Sequence, residues 1–147
     1  MSFLESLNIS GSGLTAQRFR LDIISENIAN IDSTRTEAGG PYRRKMVVLS
    51  STGSFKDMMA KNINYIKNNE IRGGVEVADI IEDPSDFKLV YNPEHPDADE
   101  NGYVSMPNVD SLKETVDMME AYRAYQANIT ALNTTKQMAV KALDIGR

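Results

Sequence analysis

The sequence predicts an α+β fold, in which long N- and C-terminal helices pack as a coiled-coil-like pair with a small β-rich insert between them. Apolar residues recur at alternating steps of three and four at both ends of the chain, which is typical of a helical seam. The middle holds all five prolines and both Gly-Gly pairs. The 147 residues suit one compact unit, which we divide into helical segment 1–34, β-rich region 35–107 and helical segment 108–147.

The first helix is expected from Ser2 to about Ile31. Ser2 and Glu5 have the spacing of a capping box, in which each side chain binds the other residue's free backbone N–H. Gly11 and Gly13 each cost about 1 kcal/mol relative to alanine inside a helix, so this helix should be fragile there when alone. Six of its eight seam positions are apolar. The seam is Leu7, Ser10, Leu14, Gln17, Leu21, Ile24, Ile28 and Ile31.

The second long helix is expected from Ser111 to Ile145, a length of about 50 Å at 1.5 Å per residue. Ser111 and Glu114 have capping-box spacing, although Asn108 or Asp110 could cap the helix instead. Seven of eight seam positions are apolar or aromatic. The seam is Met118, Tyr122, Tyr125, Ile129, Leu132, Lys136, Ala139 and Leu143. Seams of this length exceed what the insert can cover, which implies partner helices.

Three strands are predicted in the middle region, at Arg43–Leu49, Val75–Ile80 and Phe87–Tyr91. Apolar residues at helical spacing predict a short helix near 54–67. Residues 92–96 are rich in turn formers. The insert is therefore expected to be β-rich and interrupted by turns.

Composition excludes several classes of function. The net charge of −5 and the pI of about 4.9 argue against nucleic acid and anionic lipid as partners. The absence of cysteine excludes disulfides, thiol catalysis and cysteine-bound zinc. No apolar run approaches the roughly 20 residues of a membrane helix. Residues 1–15 carry no Lys or Arg, so we expect no cleaved secretion leader.

Two short motifs imitate ligand sites. Residues 11–16, Gly-Ser-Gly-Leu-Thr-Ala, match a dinucleotide-binding pattern, but that site needs a strand before the glycines and here helical spacing precedes them. Residues 97–102 copy the first six positions of an EF-hand loop, but position 12 falls on Asn108 instead of Glu. We interpret the first motif as a packed or flexible helix segment and the second as a solvated acidic turn.

Residues 76–100 contain nine acids and one base. Paired carboxylates can hydrolyse glycosides, but such sites need a groove with aromatic platforms, and the chain has no Trp. The alternatives are a solvated face or a face that meets Arg43–Lys45 of another copy. His95 is the only histidine, so no triad or His-based metal site can form. Tyr122 and Tyr125 lie at helical spacing, which favours packing over a cofactor site.

Several segments resemble one family, the flagellar rod and hook proteins. Ser-Glu-Asn-Ile-Ala-Asn at 25–30, followed by Asp-Ser-Thr at 32–34, resembles the N-terminal signature of that family. Four further segments resemble one rod member of this family in particular, namely residues 39–45, 92–99, 102–104 and 107–109. Residues 120–128 also resemble the family. These matches span the chain in the family's order.

The resemblance implies a non-enzymatic structural subunit of the proximal rod, without cofactor, metal or catalytic residue. It implies export, unfolded and without a cleaved leader, through the flagellar type III apparatus to the periplasmic rod of the basal body. The implied partners are copies of itself, other flagellar rod proteins and the adaptor at the export gate and MS ring. The implied assembly is a helical tube that transmits torque and forms part of the export channel. Terminal segments would be disordered in the monomer and helical after assembly.

On this hypothesis the helical seams form the assembly interface. Apolar seam residues of the first helix pack on those of the second helix, or on their copies, and two asparagines make polar contacts to neighbours. The predicted interface is Leu14, Leu21, Ile24, Asn27, Ile28, Asn30, Met118, Tyr122, Tyr125, Ile129 and Leu132. A periplasmic enzyme or adaptor acting on the cell wall and a calcium-dependent interaction module remain as alternatives.

Overall fold

The fold of two long helices with a small β insert between them is confirmed. The computed structural model describes residues 3–37, 39–52 and 73–145. Its elements are α1 (Phe3–Ala29), β1 (Lys45–Ser51), β2 (Val75–Glu82), β3 (Lys88–Tyr91), β4 (Tyr103–Met106) and α2 (Ser111–Ile145). The short helix predicted near 54–67 and the cap predicted at Ser2 lie outside the described residues.

Helix α1 runs without interruption through Gly11 and Gly13. A Cβ atom on Gly13 would lie only 3.0 Å from the side-chain nitrogen of Asn128 on α2, whereas Gly11 has no such neighbour within 4 Å. Gly13 is therefore a point of close approach between the two helices. The dinucleotide-like motif lies inside this helix, and the described residues before it, from Phe3 onward, are helical where a nucleotide site needs a strand, which excludes that site.

The two glycines should respond differently to alanine. Gly11→Ala is expected to raise the free energy of unfolding by about 1 kcal/mol, since it adds a helix former in open space. Gly13→Ala should gain clearly less, because the new methyl group presses on Asn128. Urea denaturation of both variants measures the difference. Equal gains would contradict the close approach at Gly13.

Helices α1 and α2 pack antiparallel. Asn27 near the end of α1 binds Glu114 near the start of α2, and fourteen residues further along each helix Gly13 lies against Asn128. The same register brings Phe3 level with Met138. The last turns of α2 therefore extend past the start of α1.

Most of the deeply buried residues of α1 lie one position before a residue of the predicted seam. Ala16, Ile23, Ile24 and Asn27 are buried, whereas the other seam residues of α1 are only half-buried. On α2 the buried residues are Glu114 and Ala121. The buried set thus combines two small residues, Ala16 and Ala121, with isoleucines and with the polar side chains of Asn27 and Glu114.

The insert consists of two two-stranded antiparallel sheets, β1–β2 and β3–β4. The register of β1–β2 shifts between Val48 and Leu49, because Val48 pairs with Asp79 and Leu49 with Val77. This bulge leaves Ala78 without a partner residue. All three predicted strands are present with shifted ends. Strand β4 was not predicted, because four residues between Gly102 and Pro107 give too short a pattern.

Candidate functional site

A cluster of buried and half-buried polar groups lies where α1 ends, α2 begins and strands β1 and β2 meet them. We call this cluster the polar junction. Its members are Asn27, Tyr42, Arg44, Lys45, Asp83, Asn108, Glu114 and Asp117. It joins residues that are up to 90 positions apart in the chain, so it fixes the helices to the insert.

Asn27 is the centre of the polar junction and is only 1% exposed. Its amide nitrogen donates to the carbonyl of Lys45 at 2.9 Å and to Glu114 at 3.1 Å. Its amide oxygen accepts from the Tyr42 hydroxyl and from the Lys45 N–H, both at 2.9 Å. All four hydrogen-bonding positions of the amide are thus satisfied within the chain. Asn27 has no polar atom left for the contact with a neighbour that the sequence suggested.

Glu114 is completely buried, and its charge is matched by Arg44. The Arg44 Nε donates to Glu114 at 2.6 Å, and an Nη donates to Asp117 at 3.2 Å. The other Nη lies 3.7 Å from a carboxylate oxygen of Asp83. A charge removed from water in this way is tolerated only when it is paired and hydrogen-bonded, as here.

The capping box predicted for Ser111 and Glu114 is therefore wrong. The Glu114 carboxylate faces the guanidinium in the interior, where the ion pair holds it. Asp110, an alternative that the sequence left open, caps α2 by accepting from the Leu112 N–H at 2.9 Å.

Asn108 and Asp83 connect the insert to the start of α2. The Asn108 side-chain oxygen accepts from the Arg44 N–H at 2.8 Å, and its nitrogen donates to the carbonyls of Asp83 and Ser85. Hydrogen bonds from the Ser85 backbone and hydroxyl, with the Arg44 charge as a smaller cause, lower the pKa of Asp83. The lowered pKa means that the Asp83 carboxylate favours the charged state that faces Arg44.

The basic run Arg43–Lys45 is engaged inside its own chain. Arg43 donates to the Asp83 carbonyl at 3.1 Å and lies over the Phe87 ring, 4.5 Å from its centroid. Lys45 forms an ion pair with Glu26 at 2.6 Å. Of the alternatives for the acidic face, a contact with this run in another copy is the less favoured, since Arg44 and Lys45 are paired with acids of their own chain and Arg43 binds backbone carbonyls and the Phe87 ring.

Tyr42 should make stability pH-dependent at high pH. Burial, followed by the negative charges of Glu26, Glu114 and Glu82, raises the pKa of Tyr42 to about 12. The folded state holds this proton more tightly than the unfolded state, so its stabilisation is complete below pH 10 and is lost as the pH rises from 10 to about 12. The expected slope is up to about 1.4 kcal/mol per pH unit.

The control for this pH dependence is Tyr42→Phe, which cannot ionise. We expect it to be less stable by about 1 kcal/mol at neutral pH, because it loses the hydrogen bond to Asn27. Its stability should fall less steeply than that of the parent chain between pH 10 and 12 in chemical denaturation. Identical slopes would show that Tyr42 does not govern the alkaline loss.

The predicted interface residues divide into two groups. Ile24 and Asn27 are buried, and seven more are half-buried within one chain: Leu14, Leu21, Ile28, Asn30, Met118, Tyr125 and Leu132. Tyr122 and Ile129 are exposed, at 53% and 36%. These two leave the most apolar surface for a neighbour. Sequence reasoning missed the junction roles of Tyr42, Arg44, Asn108 and Glu114. The first three lie in family-like segments, whereas Glu114 showed only the spacing of a capping residue.

The acidic loop between β3 and β4 is held to the end of α1. The Thr34 hydroxyl donates to Asp97 at 2.9 Å, and the Asp97 N–H donates to a ring nitrogen of His95. Gly102 has a φ of +80° and lies tightly against Tyr91 and Pro93, which explains why glycine is needed there. In the described part of the chain no group of three or more acidic or histidine side chains could hold a metal ion.

Comparison with known proteins identifies relatives along the whole chain. Two family models match: Flagella basal body rod protein at residues 7–35, and Flagellar basal body rod FlgEFG protein C-terminal at residues 100–145. The flagellar basal-body rod protein FlgC of Bacillus subtilis is 51% identical, with both chains covered completely. The FlgC proteins of Borreliella burgdorferi and Salmonella typhimurium are each 44% identical, with at least 98% of both chains covered.

Proposed function

The chain belongs to the FlgC family of flagellar basal-body rod proteins, and from this premise we propose that it is a proximal-rod subunit that polymerises through its terminal helices into a helical tube. In this proposal the tube transmits torque and encloses part of the export channel. Its partners are further copies, other rod proteins and the adaptor at the export gate and MS ring. Its proposed location is the periplasmic rod of the basal body.

One observation carries the polymerisation proposal: α2 has a second heptad stripe beside the one that packs on α1. We call Tyr122, Ile129, Lys136 and Leu143 the outer heptad. All four are exposed, and Leu143 is 77% exposed. Three of the four are aromatic or apolar, and large side chains of this kind at heptad spacing on an exposed face are typical of a helix that packs against a further helix.

The polar junction supports the mechanical part of the proposal. A subunit that transmits torque must not bend where its helices join the insert. Asn27, Arg44 and Glu114 connect both helices to β1 through short hydrogen bonds, and Asn108 and Asp83 add the end of β2. Buried paired charges of this kind resist separation, since moving one charge away leaves the other buried without an opposite charge.

No described helix is long and apolar enough to cross a membrane.

A charge on the outer heptad tests the function. Ile129→Glu should abolish or strongly reduce rod formation and motility, because it places a carboxylate in a helix contact, while the exposed site leaves the folded monomer intact. Thr130→Glu is the matched control, an exposed neighbour outside the stripe. Motility plates and electron micrographs of isolated basal bodies measure both variants. Normal rods with Ile129→Glu would contradict assembly through this stripe.

A further inference from the structure

The β3–β4 hairpin carries an exposed aromatic surface that its own chain does not cover. Tyr91 pairs with Tyr103 across the hairpin, and the rings meet edge to face with centroids 5.4 Å apart. Leu89 and Ser105 lie on the same side, since they are two residues away along each strand. We call these four residues the tyrosine face. Leu89 and Tyr91 are among the most exposed large apolar residues of the insert, at 66% and 65%.

The tyrosine face is bordered by negative charge. The loop that joins β3 to β4 contains Glu94, Asp99 and Glu100, which are exposed and form no ion pair within the described residues. A partner for this surface should therefore offer apolar groups together with positive charge.

The far end of α2 has these properties. Lys136, Val140 and Leu143 follow one another at steps of four and three residues, so they share one side of the helix. All three are exposed, and Lys136 has no acidic partner in the described chain. We call them the distal stripe. It combines the last two residues of the outer heptad with Val140, where α2 nears and passes the start of α1.

The two surfaces cannot meet within one molecule. The hairpin is fixed at the junction end, because Lys88 donates to the Val109 carbonyl at 2.6 Å and Asp97 accepts from Thr34 just beyond α1. Lys136 lies 25 residues along α2 from Ser111, which is about 38 Å at 1.5 Å per residue. Contact between the two surfaces therefore requires two chains.

We propose that the tyrosine face of one copy docks on the distal stripe of the next copy along the rod. This inference rests on the proposed function and names the pair of surfaces that would join consecutive subunits. Because the surfaces are different and lie at opposite ends, their contact is head-to-tail and generates an open filament. The charges agree, since the acidic loop would lie beside Lys136.

Engineered cysteines test the contact cleanly, because the chain has no cysteine of its own. Tyr91→Cys and Leu143→Cys are introduced together in the full chain, and basal bodies isolated from cells that carry only this copy are oxidised. A disulfide needs Cα atoms within about 7 Å, so crosslinked dimers and larger multimers are expected only if the two surfaces meet. The control replaces Leu143→Cys with Leu112→Cys. Leu112 is as exposed as Leu143, at 76% against 77%, but lies at the junction end.

Each outcome has a distinct meaning. Multimers with Leu143→Cys and not with Leu112→Cys support the docking. Rods that contain the protein but yield no Tyr91–Leu143 crosslink overturn this contact and leave the proposed function intact. Crosslinks of Tyr91→Cys to another rod protein in place of a second copy also overturn it. Basal bodies that form without this protein contradict the proposed function itself.

A charge exchange gives a second measurement. Lys136→Glu should reduce the crosslinked fraction several-fold, because the new carboxylate faces the acidic loop of the docked copy with a like charge. Changing Glu94, Asp99 and Glu100 to lysine in the same chain should restore it. An unchanged yield in the single variant would show that charge plays no part in the contact.

Discussion

Arg44→Met is expected to lower the free energy of unfolding by about 3–5 kcal/mol, because it leaves the fully buried Glu114 without its positive partner. Small domains are stable by only about 5–15 kcal/mol, so this variant should be partly unfolded at modest denaturant concentrations. Guanidinium denaturation, followed by circular dichroism, measures the loss. The same variant should give few rods, since an unfolded junction cannot hold the helices.

Two further variants make the Arg44 prediction specific. Arg44→Met combined with Glu114→Leu should recover most of the lost stability, because replacing both members of a buried ion pair by apolar residues is often neutral. Arg43→Met is the matched single control. Its side chain donates to backbone carbonyls and lies over Phe87, so we expect a loss of no more than about 1 kcal/mol. Equal losses at positions 43 and 44 would argue against a special role of the buried pair.

Asn27→Leu should cost at least about 3 kcal/mol, although leucine has almost the same size. The change removes four hydrogen bonds and leaves buried groups of Tyr42, Lys45 and Glu114 without their partner. Each such group costs about 1–3 kcal/mol, of which structural relaxation recovers a part. Thermal or chemical denaturation against the parent chain gives the value.

Asn30 provides the control for Asn27, since both asparagines belong to the same family-like segment. The Asn30 amide donates to the Glu26 carbonyl and accepts from Ser33, at a half-buried helix end that water can reach. Asn30→Leu should therefore cost about 1 kcal/mol or less. Asn27→Asp should be worse than Asn27→Leu, because it would place a second carboxylate against Glu114. A mild effect of Asn27→Asp would contradict the central position of the amide.

The sequence was sufficient to predict the elements that depend on local pattern. The bounds of α2 agree with the prediction at both Ser111 and Ile145, because a long periodic segment with a cap is the strongest local signal. The strands were found with shifted ends, and β4 was missed because pairing with β3 defines it more than its four residues do. Local pattern cannot reveal such non-local pairing.

The candidate site was predictable only in part, for a physical reason. Periodicity ranks positions by hydrophobicity, whereas small residues mark covered positions of the two helices: Gly13 lies close to Asn128, and Ala16 and Ala121 are buried. Glu114 has the spacing of a capping residue, and nothing local shows that Arg44, 70 residues earlier, draws it inside. Such long-range polar contacts follow from the three-dimensional arrangement, so the sequence pattern alone could not assign them.

The polar junction also affects how uniform the copies in a filament are, because it sets the axial position of one helix relative to the other. Two apolar helices can slide past each other by one heptad, about 10 Å, and still bury similar surface. Asn27 excludes that shift, because its amide fits only when Glu114 and the backbone of Lys45 are both opposite it. Every copy then has the same length between its two ends. In a filament built from such copies, a shift of the two helices in one subunit would displace every subunit that follows. The buried Asn27 amide prevents this shift within each subunit.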